Sequence, residues 1–395
     1  MDRNERNRFI RRRRNGEFRI CVTVVMLGIL IGVVLFAYAA FGSPSVRPMD
    51  DTRLQQVIVV FRHGDRTPTE TYPNDPYLTH EWPGGWGTLT KRGMLQMYKV
   101  GQWIRNEYGD TIGKRYQSSL SYVESSYADR CIMSAQALLS GLYPPEPDQI
   151  FLPGLPWRPI PVHMTPRNLD KVIVVKAPCP RLEQALKEAY TNESRKSDDR
   201  MSAYYKELSS HTGQTIATIT DVEFLYNTLE IEQLYGLKLP EWTANFYNEE
   251  MREIAARSLA IFTSDNLQKR LRGGPLLKEI LRHMIGSKLA TDKRTAIFYS
   301  AHDITLVNLL RTMGFIKELF KPDYGAALIF ELHTRHETSS LREAQVKLVY
   351  LNNTESTVPH NMPIPGCVTP CLLENLLDLW KDVIPEDWDR ECLTP

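Results

Sequence analysis

Apolar positions along the chain fall into distinct patterns. Val57-Ile58-Val59-Val60-Phe61 is an unbroken, β-branched run, which predicts a strand covered on both faces. Ala296-Ile297-Phe298-Tyr299 predicts a second strand of the same kind. After Asp303, the spacing of Ile304, Val307 and Leu310, with Leu306, Leu309 and Met313 on the neighbouring stripe, predicts an amphipathic helix ending near Gly314. Ser121-Tyr122-Val123, Val172 to Val175, Ala327 to Leu332 and Val346 to Leu351 are further strand candidates. The stretch 181–285 is more polar and reads as helices, around Leu182 to Leu186, Met251 to Phe262 and Leu276 to Ile285. Strands at both ends with helices between them predict an α/β core with a helical insertion.

One apolar run differs from the rest. Ile20 to Gly42 holds no charge over 23 residues, and as a helix it would be roughly 34 Å long, enough to cross a bilayer core of about 30 Å. Arg11 to Arg14 and Arg19 precede it, which puts the N-terminus in the cytosol and the rest outside or in a lumen. A cleaved signal peptide is the competing reading, since Ala37-Tyr38-Ala39 has a small-x-small pattern. Either way the bulk of the chain is exported. The expected organisation is a basic cytosolic tail (1–19), a signal-anchor or signal peptide (20–42), a linker (43–56), a core (57–180 and 286–395) and a helical cap (181–285).

Composition and charge narrow the function classes. With 42% hydrophobic and 24% charged residues, the chain is neither disordered nor collagen-like. Its net charge of +1 conceals eight arginines against three acids in residues 1–19, leaving −4 for the remainder. No general basic field points to nucleic acid. Asn192-Glu-Ser and Asn352-Asn-Thr are glycosylation sequons. Outside the apolar span lie Cys131, Cys179, Cys367, Cys371 and Cys392, an odd number that permits at most two disulfides. Their spacing does not suit zinc, and no metal site is expected.

The first predicted strand runs straight into Arg62-His63-Gly64-Asp65-Arg66-Thr67-Pro68. Ligands of open α/β sheets bind at the carboxyl ends of strands. Two arginines there suit a tetrahedral dianion, because each offers bidentate N–H donors. His63 can serve as nucleophile or base, and Gly64 lets a ligand approach. The bland alternative is an internal salt-bridge cluster with Asp65 around a core histidine.

Arg-His-Gly-x-Arg-x-Pro resembles the signature of the histidine acid phosphatases, a branch of the histidine phosphatase superfamily. Glu81 to Gly93, Trp157 to His163 and Ser300-Ala301-His302-Asp303 are similar to further family segments, so the likeness covers roughly Val57 to Cys392. It implies a doubly wound, mostly parallel, phosphoglycerate mutase-like sheet with a smaller α-helical cap. It implies acid phosphatase chemistry on a small phosphomonoester without cofactor or metal. His63 becomes phosphohistidine, Asp303 donates the proton, and Arg62, Arg66, Arg130 and His302 hold the phosphate oxygens. It further implies the disulfides Cys179–Cys392 and Cys367–Cys371, with Cys131 left free and Asn227 near where a third family bridge would fall. Trp157 and His163 lie in a segment that relatives use at a homodimer contact.

Other features carry plainer expectations. His333 and His336 are read as surface residues, His211-Thr212-Gly213 as a turn, and Trp82 and Trp86 as packing beside the site mouth. Destination stays open between lysosome, cell surface and secretion. Two alternatives are a phosphatase specific for a lipid, sugar or inositol phosphate, and a catalytically silent surface protein on the same scaffold. His302-Asp303 argues against phytase-like branches, and the presence of His63 and Asp303 against a silent protein.

Overall fold

The computed structural model describes residues 52–395 except 197, 290, 336–340, 355–357 and 394–395. The expected tail (1–19), apolar span (20–42), most of the linker (43–56) and His336 lie outside the described residues. No helix among those residues is long and apolar enough to cross a membrane.

The Val57–Phe61 run forms the middle of the sheet. Strands β1 (Arg53–Arg62), β2 (Ser121–Ser125), β3 (His163–Met164), β4 (Ala296–Ala301), β5 (Ala327–Thr334), β6 (Gln345–Leu351) and β7 (His360–Asn361) are ordered β3-β2-β4-β1-β5-β6-β7. All five residues of the run are fully buried, worth roughly 10 kcal/mol of gross transfer free energy at about 2 kcal/mol each. Side chains alternate across the sheet. Val57, Val59 and Phe61 pack against Met97, Val100 and Ile104 of α1 (Lys91–Ile112) and Leu138 of α2 (Asp129–Leu142). Ile58 and Val60 enter the opposite core.

The helical stretch comprises α3 (Pro180–Arg195), α4 (Asp199–Thr212), α5 (Ile219–Leu234) and α6 (Glu249–Ala260), with shorter turns between. It buries a core of its own, with Leu208, Val222, Leu225, Leu229, Met251 and Ile254. Of the stretch expected as a cap, 181–285, the final helix belongs elsewhere. Helix α7 (Gly274–Lys288) packs Leu276, Leu277, Ile280 and Leu281 into the second core of the sheet, together with Leu306, Leu309 and Leu310 of α8 (Asp303–Thr312).

Two expectations are corrected. The sheet is mixed rather than mostly parallel: β1–β4, β4–β2 and β2–β3 pair parallel, whereas β1–β5, β5–β6 and β6–β7 pair antiparallel. The chain returns to β1 from α8 as a short meander, and antiparallel neighbours need no crossover helix. Val172 to Val175 is not a strand. The Asp170 carboxylate accepts the backbone N–H groups of Val172, Ile173 and Val174 at 2.9 Å each, so those donors are unavailable to a ladder. Val175 then takes a left-handed φ of 57°.

Both implied disulfides form, Cys179–Cys392 and Cys367–Cys371, and Cys131 is free and buried. The first ties the entrance of α3 to the C-terminal segment, where Arg181 N–H also donates to the Cys392 carbonyl (3.2 Å).

Candidate active site

Strand register creates the site. Arg62 of β1 lies opposite Ala301 of β4, so the residues that follow each strand, His63 and His302-Asp303, emerge side by side at one carboxyl edge. The two imidazole centroids are 5.4 Å apart. Arg130 reaches them from the first turn of α2. Its Nε donates to His63 Nε2 (3.1 Å) and its Nη2 faces His302 Nδ1 (3.3 Å).

Each group is held in one role. His63 Nδ1 lies 2.8 Å from the Gly64 carbonyl; since the carbonyl only accepts, Nδ1 carries the proton and Nε2 keeps a lone pair. Burial, then Arg130, His302, Arg62 and Arg66, hold the ring well below the usual histidine range, so it is neutral in acid. His302 receives Arg130 on Nδ1, which leaves Nε2–H to donate to Ser126 Oγ (2.9 Å). Burial and Arg130 bring its pKa to about 3.

Arg62 makes an ion pair with Asp303 (Nη2–Oδ2, 2.8 Å) and donates from Nη1 to the Pro322 carbonyl (2.6 Å). Its guanidinium lies over the Tyr324 ring at 4.0 Å. Its buried Nε has no hydrogen-bond partner among the described residues. Arg66 is buried, and among the described residues its guanidinium donates to its neighbour's carbonyl, Thr67 O (3.0 Å), and to no carboxylate. A buried guanidinium without a carboxylate partner, at the mouth of a sheet, suits an anion. The salt-bridge reading of the motif fails, because Asp65 turns away: Thr90 Oγ1 donates to its Oδ2 (2.5 Å) and Gln96 Oε1 accepts its backbone N–H (2.8 Å).

Asp303 is the N-terminal residue of α8. Burial alone would push its carboxyl up, but Arg62, then Lys321 and His302, pull it down to about 2. The helix start also favours the ionised form, and it acts together with a direct guanidinium partner that the sequence did not reveal.

Gly64 serves a purpose other than the one expected. A Cβ there would strike the Gly93 carbonyl of α1, so this glycine admits the helix rather than a ligand. Trp82 is packed, with His80 at 4.5 Å and Tyr235 at 5.0 Å between ring centroids, while Trp86 is exposed. His333 bonds Glu331 (2.8 Å), and no metal-holding group occurs among the described residues.

The structure thus brings together His63, Arg62, Arg66, Arg130, His302 and Asp303. Sequence reasoning missed Ser126, Tyr324, Lys321 and Cys131, whose Sγ is 3.5 Å from His302 Nε2. Ser126 directly follows β2 and Cys131 directly follows Arg130, so chain position offered a signal for these two; Tyr324 and Lys321 arrive by long-range contact.

A family model, the histidine phosphatase superfamily (branch 2), matches residues 53–351. Lysosomal acid phosphatase of Homo sapiens is 34% identical over 385 residues, covering 96% of this chain and 87% of the relative. Prostatic acid phosphatase of Homo sapiens is 34% identical over 351 residues, covering 86% and 88%. Among solved structures, a Hafnia alvei phytase in complex with tartrate superposes with a TM-score of 0.65 at 18% identity, covering 88% of this chain and 100% of that one.

Proposed function

Since the chain belongs to the histidine phosphatase superfamily (branch 2), we propose that it hydrolyses phosphate monoesters as an acid phosphatase, with His63 as nucleophile and Asp303 as proton donor. The observation that carries this reading is the His63 ring. Its Nδ1–H is fixed on the Gly64 carbonyl, its Nε2 lone pair points into the arginines, and it stays neutral in acid.

In the first step Nε2 bonds to phosphorus, the bond to the leaving oxygen breaks, and that oxygen takes a proton from Asp303. In the second, Asp303 takes a proton from water as the water oxygen attacks phosphorus. The P–N bond then breaks, freeing phosphate and His63. Arg62, Arg66 and Arg130 stabilise the transferring group. Asp303, ionised beside Arg62, must first gain a proton. A phosphomonoester below its second pKa of about 6 carries one, and its oxygens compete with Asp303 for Arg62.

A panel of p-nitrophenyl, glyceryl and tyrosyl phosphates assayed on the purified chain from pH 3 to 9 tests the reading. All three are hydrolysed faster at pH 5 than at pH 8, and acid-quenched enzyme carries phosphate on histidine. Hydrolysis without a labelled histidine overturns the mechanism.

We further propose that residues 20–42 anchor the chain with its catalytic part lumenal or extracellular. Two disulfides support an oxidising compartment, and both Asn192 and Asn352 are exposed for glycans. A homodimer across the β3 edge is supported by exposed Phe151, Leu152, Trp157 and Met164 beside that strand. Light scattering gives twice the chain mass on this reading, and a monomer at micromolar concentration excludes it.

A further inference from the structure

Glu223 plays no part in the steps above, yet it lies where the helical stretch faces the proton donor. It stands on α5 and is 9% exposed. Ser258 of α6 donates to its Oε2 (2.7 Å), and Asn227 Nδ2 lies 3.4 Å from its Oε1. The Asn227 oxygen accepts from Lys321 Nζ (3.0 Å), which also reaches Glu230 (3.4 Å) and lies 4.6 Å from the Tyr226 ring centroid. Lys321 immediately precedes Pro322, whose carbonyl holds Arg62. A single network therefore runs from the insertion to the Arg62–Asp303 pair.

Charged and titratable groups face Glu223 from several elements: Asp303 from α8, Lys321 from the loop before β5, and Tyr190 from α3. Glu230 shares its helix and Lys321. With Glu223 protonated, Asp303, Glu230 and Asp323 stand against Arg62, Lys321, Arg66 and Arg130, which leaves positive charge for the phosphate. With Glu223 ionised, that surplus is offset.

We propose that Glu223 is a positioning residue for the reaction, a carboxyl from the helical insertion whose proton decides whether the proton-donor side of the site accepts an anion. The inference rests on the phosphatase reading. Burial, then the charge of Asp303, push this carboxyl up to about 7. Below that value it is neutral and the phosphate meets a positive surplus; above it, like charge opposes the substrate and weakens binding.

The test is kcat/KM for p-nitrophenyl phosphate from pH 4 to 9 in the full chain and in Glu223→Gln, which fixes the neutral state at nearly equal volume. The ratio of kcat/KM at pH 8 to that at pH 5 rises about tenfold over wild type, chiefly through KM, for one buried like charge removed. Ser258→Ala removes a donor that favours the ionised carboxylate, so its alkaline limb moves to higher pH. This second variant decides the matter if Glu223→Gln does not fold. An active variant with the wild-type ratio, or a loss equal at every pH, overturns the proposal. A wild-type chain without phosphatase activity would instead sink the reading beneath it.

Discussion

Replacing His63 with alanine lowers kcat/KM for p-nitrophenyl phosphate by about 10⁴-fold or more, the usual scale for removing a covalent nucleophile. The size follows from the surroundings. The other imidazole, His302, stays held by Arg130 at Nδ1 and by Ser126 at Nε2, and its ring stands at the end of a different strand from the one removed. The three arginines remain and still bind phosphate, so inorganic phosphate binds the variant while turnover is lost. Added imidazole, entering the space left by the ring, restores part of the rate. Quenched protein from the variant carries no phosphohistidine. Label retained at wild-type level would assign the nucleophile to another residue.

Asp303→Asn separates the two proton transfers. For an alkyl phosphate, whose alkoxide leaves poorly, kcat falls about 10³-fold, the middle of the range for a lost general acid. p-Nitrophenolate needs no proton to leave, so phosphorylation with p-nitrophenyl phosphate falls far less. Water attack on the phosphoenzyme still lacks its base. The variant therefore releases one equivalent of p-nitrophenol rapidly and then stalls, which a stopped-flow trace records as a burst. Equal losses on both substrates with no burst would place Asp303 in binding Arg62 rather than in proton transfer. That outcome is physically distinct because the 2.8 Å Arg62–Asp303 ion pair also orients the guanidinium.

The parts of the site that were legible in the sequence share a cause. Arg62, His63 and Arg66, and likewise His302 and Asp303, are neighbours along the chain at the ends of apolar runs. Local pattern therefore gives their chemistry and strand termini give their location. The facing of the two motifs follows from the β1–β4 register, since each motif comes at the end of its strand. Features that were not legible depend on long-range geometry. Tyr324 and the Pro322 carbonyl reach Arg62 across about 260 residues of sequence, and Glu223 lies in the middle of a helix with no motif around it. Val172 to Val175 misled for a different reason. Its apolar character was read correctly, but one carboxylate, Asp170, took the donors a strand would have used. The sheet's hybrid direction was also hidden, because a run buried on both faces reads the same whether its neighbour is parallel or antiparallel.

The Cys179–Cys392 bond spans 213 residues of sequence and encloses the helical insertion, β4, the His302-Asp303 pair and everything through β7. A protease that nicks any loop within that interval produces two pieces that stay covalently joined. His63 on the N-terminal piece and Asp303 on either piece then remain in one molecule. A nicked form would run as a single band without reductant and as two bands with it. Exposure to proteases in an oxidising compartment would cut this chain without dispersing its active site.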